Sequence, residues 1–288
     1  MKRVQSWFIL TALILAMLVI AIPGCSWFQT ENPITTWMKL VPKDSNSFEL
    51  WDLEELRSDD QLGSVYETWR DEWGTWLEDL GIYFGDIHQI IRIADMETTI
   101  IDGALYHNDI KEALESTFEK HEYRDQECWQ NLENDRWVIV RQDFVIVGSG
   151  AEAMEDFIDV ILAEKDEANS LWTYAHMQDV ANKLPSGVST IVQKSTDLSD
   201  AVMPWGCTWE STDEGVLKLT AVYKFDYVGA IEYAQGAITD YWKNQSHGNI
   251  EISTDDRYLK VEATIDKDDF KNLVIETQWE SLSSTHDG

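Results

Sequence analysis

The chain is poor in cysteine, proline and positive charge. It has three cysteines and five prolines in 288 residues. No two cysteines form C-x-x-C, and none of the six histidines sits at zinc-ligand spacing from a cysteine. A thioredoxin-like redox motif and a zinc module therefore have no seat in the sequence. There are 22 Lys and Arg against 53 Asp and Glu, a formal net charge of −31. A surface of that sign repels phosphate backbones, which excludes a role on nucleic acid. Only one apolar run, at the N-terminus, approaches the ~20 residues that span a bilayer. What is abundant is apolar and aromatic side chain, 44% hydrophobic with 14 Trp, the composition of a packed body and not of a disordered one.

The N-terminal run begins after Lys2 and Arg3, continues from Val4 to Ile22 and ends in Pro23, Gly24 and Cys25. A basic start, an apolar stretch and a small residue form an export signal. Ile22-Pro23-Gly24-Cys25 resembles the lipobox of bacterial lipoproteins: an aliphatic residue, two more ending in a small one, then cysteine. That resemblance implies cleavage after Gly24, so that residues 1–24 are a signal peptide. It also implies acylation of Cys25, the lipidation site, and an anchor in a bacterial membrane with the body facing outside the cytoplasm. Each buried CH₂ of the acyl chains contributes about 0.8 kcal/mol to the anchor. Loss of Lys2 and Arg3 with the signal makes the mature body more acidic still.

Residues 25–40 carry no clear period and read as a tether. The body that follows reads as α+β: two related units of mainly antiparallel sheet with helices packed on one face, spanning 41–184 and 185–288. "SFELWDL" (47–53), "IHQIIRIAD" (87–95) and "TTIIDGALY" (98–106) read as strands. A long helix is expected over Glu54–Leu80, with Trp69, Trp73 and Trp76 on one core-facing stripe. A second helix is expected over 108–121, with Asn108 as N-cap. "RWVIV" and "FVIVG" flank a hairpin connection and lead into a helix at 151–164. Three pairs of segments recur in order: "GALYHNDIKEA" (103–113) with "TAVYKFDYVGA" (220–230), "DRWVIV" (135–140) with "DRYLKV" (256–261), and "DFIDVI" (156–161) with "DFKNLV" (269–274). "VPKDSNSFEL" (41–50) and "LPSGVSTIV" (184–192) each open a strand after a proline. These recurrences point to duplication. The "VPKDS" opening, the "GALY" strand and the "WVIV…FVIVGS" hairpin resemble a group of exported bacterial proteins carrying only a domain-of-unknown-function label, a likeness that implies a fold and no catalytic residue.

Motifs with chemical meaning are sparse. Gly148-Ser149-Gly150 with Ala153 fits G-x-G-x-x-A, but Glu152 and Glu155 would repel a pyrophosphate and the strand before it reads as half of a hairpin. Val147 and Ala151 stand where a nucleophile elbow needs glycine. "DKDD" (266–269) gathers carboxylates, yet Phe270 and Lys271 break a calcium loop. Cys128 and Cys207, each beside a tryptophan, remain as a possible disulfide, worth about 4–5 kcal/mol in the chain-entropy model, or as two buried free thiols. No cofactor is expected, and no catalytic or metal residue is singled out. The sequence reads as a lipid-anchored extracytoplasmic protein with a non-catalytic binding or scaffolding role. It is held at the membrane by its N-terminal lipid, with a partner protein in a cell-surface complex. The alternatives are an extracytoplasmic hydrolase with an unmarked active site and a sugar-binding module using exposed Trp. Labelled palmitate should enter the protein in bacterial cells and be lost in Cys25→Ala; equal labelling of that variant would refute the anchor.

Overall fold

The structure is a computed structural model, and it describes residues 32–162, 169–195, 202–212, 215–246 and 250–271. Cys25 and the export signal lie outside the described residues. The first described element is α1 (Pro33–Met38), capped by the Asn32 side chain, which accepts from the Ile34 N–H at 3.1 Å. Ile34, Trp37 and Met38 are buried. Residues 32–40 are therefore part of the body, and the expected tether of 25–40 is corrected at its C-terminal end. The short apolar stripe Ile34, Trp37, Met38, at three- and four-residue steps, is the signal that the composition of 25–40 hides.

The elements that follow are β1 (Ser47–Asp52), α2 (Leu53–Ser58), α3 (Gly63–Asp79), β2 (Ile87–Ile93), β3 (Thr98–Gly103), α4 (His107–Thr117), β4 (Glu119–Tyr123), β5 (Gln126–Asn131), β6 (Arg136–Val140), β7 (Phe144–Ser149) and α5 (Ala151–Leu162). The second half holds α6 (Ala175–Ala181), β8 (Ser189–Gln193), β9 (Val202–Ser211), β10 (Val216–Phe225), α7 (Gly229–Ser246), β11 (Ile250–Asp255) and β12 (Tyr258–Asp266). All twelve described strands form one sheet in the order β11-β12-β10-β9-β8-β1-β2-β3-β7-β6-β5-β4, every pair antiparallel. The α+β class and its antiparallel sheet are as read from the sequence.

Helices cover both faces of the sheet, not one. One face buries Leu56, Val65, Trp69, Trp73 and Leu77 of α2 and α3, Ile110 and Leu114 of α4, and Ile238 and Trp242 of α7. The other buries Trp37 of α1, Phe157 and Ile161 of α5, and Met177 and Val180 of α6. The reason lies in the strands. Val138-Ile139 and Val145-Ile146-Val147 are buried at consecutive positions, and side chains alternate faces along a strand, so both faces must be dry. Leaving one face to water would expose side chains worth about 1.5–3 kcal/mol each when buried.

Read outward from its centre, the sheet runs β1-β2-β3-β7-β6 in one direction and β8-β9-β10-β12-β11 in the other. The connections match: β3 leads through α4 to the later strands, and β10 leads through α7 to β11 and β12. The first half adds α2 and α3 between β1 and β2, and the hairpin β4–β5 at its edge. One sequence match is corrected. "DRWVIV" forms β6 while "DRYLKV" opens β12, and β12 holds the place of β7 beside β10. The shared feature of those segments is the turn, where Asp135 and Asp256 both take positive φ, 51° and 49°. Nor are the halves separate bodies: the described residues from Asn32 onward form one compact unit.

Two helix expectations also change. The helix expected over 54–80 breaks at Asp59, whose carboxylate accepts from the backbone N–H groups of Gln61 and Leu62 and so starts α3 afresh. The helix expected over 108–121 runs from His107 to Thr117 with Tyr106 at its cap position, and Asn108 lies inside its first turn. Glu119–Tyr123 pairs with β5 instead, through a two-residue turn in which Arg124 and Asp125 are both left-handed, φ 50° and 62°. No described helix is long and apolar enough to cross a membrane.

Candidate functional site

Four places gather polar or exposed groups. The first joins the break between α2 and α3 to the segment after β12. Lys267, just after β12, donates to Asp59 at 2.5 Å and to the Thr212 carbonyl, and Ser211 donates to the same carboxylate. Both Lys267 and Asp59 are nearly buried. Burial alone would raise the Asp59 carboxyl, but Lys267, Ser211 and the N–H groups of Gln61 and Leu62 outweigh it and hold the pKa at about 2. This group is fully engaged in holding the fold and is not free to exchange protons near neutrality.

The second lies under α6. Lys224 of β10 is 2% exposed and pairs with Asp179 of α6. The Lys224 ammonium lies 5.7 Å from the Tyr258 ring centre, and Lys183 lies 4.3 Å from the same ring. The Lys224 hydrogen bond holds Asp179 below the usual carboxylate range. Here too the charges are matched in place.

The third is a cross-strand neighbour pair. His121 of β4 lies directly opposite Cys128 of β5, with the His121 ring 5.1 Å from that of Trp137. The sequence hides this because Arg124-Asp125 is not a familiar hairpin turn. Burial, with the charges of Glu155 and Glu127, pushes the Cys128 thiol up. A thiol so raised stays protonated and is a poor nucleophile. Cys207 is buried on the opposite face, and burial pushes its pKa up to about 12. The disulfide expectation is corrected: both thiols are free. Cys128 belongs to the core under α5 and Cys207 to the core under α3 and α7. Six strands stand between β5 and β9 in the sheet. Adjacent strands are about 4.8 Å apart, far more in total than a disulfide reaches.

The fourth is apolar. Tyr227 and Val228 precede α7, and Tyr233 lies on its first turns with 82% of its surface exposed. Tyr241, further along α7, is also among the exposed large side chains. The tryptophans behave differently. Among the described residues every Trp is buried or partly buried, Trp69 and Trp73 stacking at 6.0 Å inside the core.

The remaining motifs resolve into structure. β7 is antiparallel to both β3 and β6, so the glycines at 148–150 do not sit in the parallel βαβ unit that binds dinucleotides. A Cβ at Gly148 would lie 2.5 Å from Thr98 Oγ1, so this glycine serves packing. In "DKDD", Asp268 pairs with Lys271 and the Asp266 carboxylate accepts from the Asp268 N–H. Among the described residues no three His, Cys, Asp or Glu side chains converge to hold a metal ion. Three carboxyls are raised by burial: Glu55 beside Asp52, Asp102 beside Asp143, and Asp156 beside Glu152. Glu55 follows β1 at the start of α2, and Asp102 is near the end of β3.

No protein-family model and no curated protein matches the sequence. Among solved structures the chain is similar to crystal form I of TP0453, with a TM-score of 0.46 and 6% identity over 82% of this chain and 95% of that one. The likeness is too distant to transfer a role.

The Asp59 pair fixes an acid response. A carboxylate held below its unfolded pKa stabilises the fold above that value and loses its contribution as pH falls through the folded one. A shift from 3.8 to about 2 corresponds to about 2 kcal/mol. Urea titrations should show that contribution at pH 5 and its loss between pH 4 and pH 2. Asp59→Asn should flatten that part of the profile; an unchanged acid limb in the variant would contradict the assignment.

Proposed function

We propose that this chain is a lipid-tethered protein on the outer side of a bacterial membrane, and that it binds a partner protein without turning it over. The observation that carries the reading is the exposed apolar group Tyr227, Val228 and Tyr233 at the start of α7. Tyrosines exposed at the start of a helix are side chains of the kind that anchor protein contacts, because they offer large area at little entropy cost. The charged clusters support the same reading. Asp59, Lys267, Lys224 and Asp179 are matched to one another, and both thiols are held protonated, so the strongest electrostatic features serve the fold.

The acidic surface adds steering. A body with this net charge draws basic partners and repels anionic headgroups, an effect that fades within about 8 Å at physiological salt. The tether through Cys25 would confine the body to a thin layer beside the membrane and raise its effective concentration toward neighbours. Sugar binding through exposed Trp loses its basis, since no described Trp is exposed.

The test uses the full-length chain in bacterial membranes. Cross-linking should capture a defined partner, and Tyr227→Ser with Tyr233→Ser should lower its yield at least tenfold with an unchanged melting temperature. Equal capture by the double variant would refute the surface. Turnover of a hydrolase substrate that disappears in Glu55→Gln or Asp102→Asn would overturn the non-catalytic reading.

A further inference from the structure

The sheet ends at β4, and the outer side of that strand faces no described strand. β4 and β5 are joined by a two-residue turn, so the Tyr123↔Gln126 pair that closes it exchanges backbone hydrogen bonds and the pattern then alternates. Glu119, His121 and Tyr123 thus direct their backbone groups toward β5. Lys120 and Glu122 direct theirs outward, where no described strand lies.

Charged residues on an edge commonly serve to keep other strands away. Here their order does the reverse. An antiparallel pair of β4 strands related by a two-fold axis must oppose outward groups to outward groups, which leaves three main registers. Centring on Lys120 opposes two lysines. Centring on Glu122 opposes two glutamates. Centring on His121 opposes Lys120 to Glu122 twice, Glu119 to Tyr123 twice, and His121 to its own copy. Only the last register is free of opposed like charges, and it closes four backbone hydrogen bonds.

The in-chain charges point the same way. Glu122 lies directly opposite Glu127 across the hairpin, a like-charge pair. Lys111 and Lys120 both pair with Glu127, and no described cation pairs with Glu122. Lys120 and Glu122 lie on the same face of β4, so the second chain's Lys120 would arrive beside Glu122 and supply the missing cation. The other edge offers nothing comparable: β11 carries Glu251 and Asp255 and no basic residue.

We infer that two copies of this chain associate through their β4 edges, antiparallel and centred on His121, with Lys120 of each opposite Glu122 of the other. The inference goes beyond the partner binding proposed above and does not depend on it. Five residues of edge make a small interface, so the association is weak in free solution and is gained where copies are crowded.

The register places the two His121 Cα atoms about 4.5 Å apart, within reach of a disulfide. The test is the full-length chain carrying His121→Cys with Cys128→Ser, which removes the in-chain neighbour, expressed in bacterial membranes and mildly oxidised. A disulfide-linked homodimer is expected. Adding Lys120→Glu alone, or Glu122→Lys alone, should lower its yield at least tenfold. Co-expressing the two charge variants under different tags should restore the linkage between unlike chains, which also shows that each variant folds. Monomer only, linkage to a different protein in place of a homodimer, equal linkage by the single variants, or failure of the mixed pair to link would each overturn the inference.

Discussion

Everything in this molecule hangs on the ladder between β1 and β8. Five residue pairs, from Ser47↔Gln193 to Trp51↔Ser189, join the two halves into one sheet. Without it the chain would have two sheets, each exposing an edge and an open core end. The seam is reinforced on both faces. On one, Phe270 from the end of the second half packs against Trp51 of β1 and Trp209 of β9, with ring centres 6.4 and 5.5 Å away. On the other, the Asn32 side chain donates to the Leu184 carbonyl at 3.1 Å, tying the first helix of the body to the segment that leads into β8. The Lys267–Asp59 pair crosses the same boundary. Breaking one partner of such a buried pair costs about 3–5 kcal/mol because a charge is left stranded.

That constraint shapes what the protein can present to others. Central strands such as β6 and β7 are buried on both sides, and few large apolar side chains among the described residues remain outside. Tyr227, Val228, Tyr233 and Tyr241 lie at α7, while β4 and β11 are the edge strands of the sheet. The two surfaces proposed above for contact are a helix surface and a strand edge. The Lys267–Asp59 and Lys224–Asp179 clusters are matched charges, and their pKa displacements report what holds the elements together.

Much of the architecture was legible in the residues, for identifiable reasons. β1, β2, β3, β6 and β7 stand out because β-branched runs such as Ile90-Ile91 and Val145-Ile146-Val147 leave no other local reading. Trp69 and Trp73 fall in the core because their spacing repeats the helical turn. The proline openings at Pro42 and Pro185 did lead into two strands, β1 and β8, that turn out to be neighbours. What escaped notice depends on partners distant in sequence. Glu119–Tyr123 has the composition of a helix end and becomes a strand only because β5 is there to pair with it. The proximity of His121 and Cys128 follows from that pairing and from an unusual Arg124-Asp125 turn. The two-sided burial was present in the consecutive apolar positions, although the sequence reading expected helices on one face only. The candidate surface at Tyr227 and Tyr233 was not legible at all, since a tyrosine at a helix start reads equally as core.

If the β1–β8 ladder is the element on which both halves depend, the body opens as one unit. Native-state hydrogen exchange measures this directly, because amides that open together share one free energy of opening. The slowest amides of β2 and β3 and those of β9 and β10 should exchange at the same free energy, equal to that of global unfolding, with Leu50 and Thr190 of the seam among them. Exchange of β8–β12 at a distinctly lower free energy than β1–β7 would mean that the halves open independently, and would contradict the account.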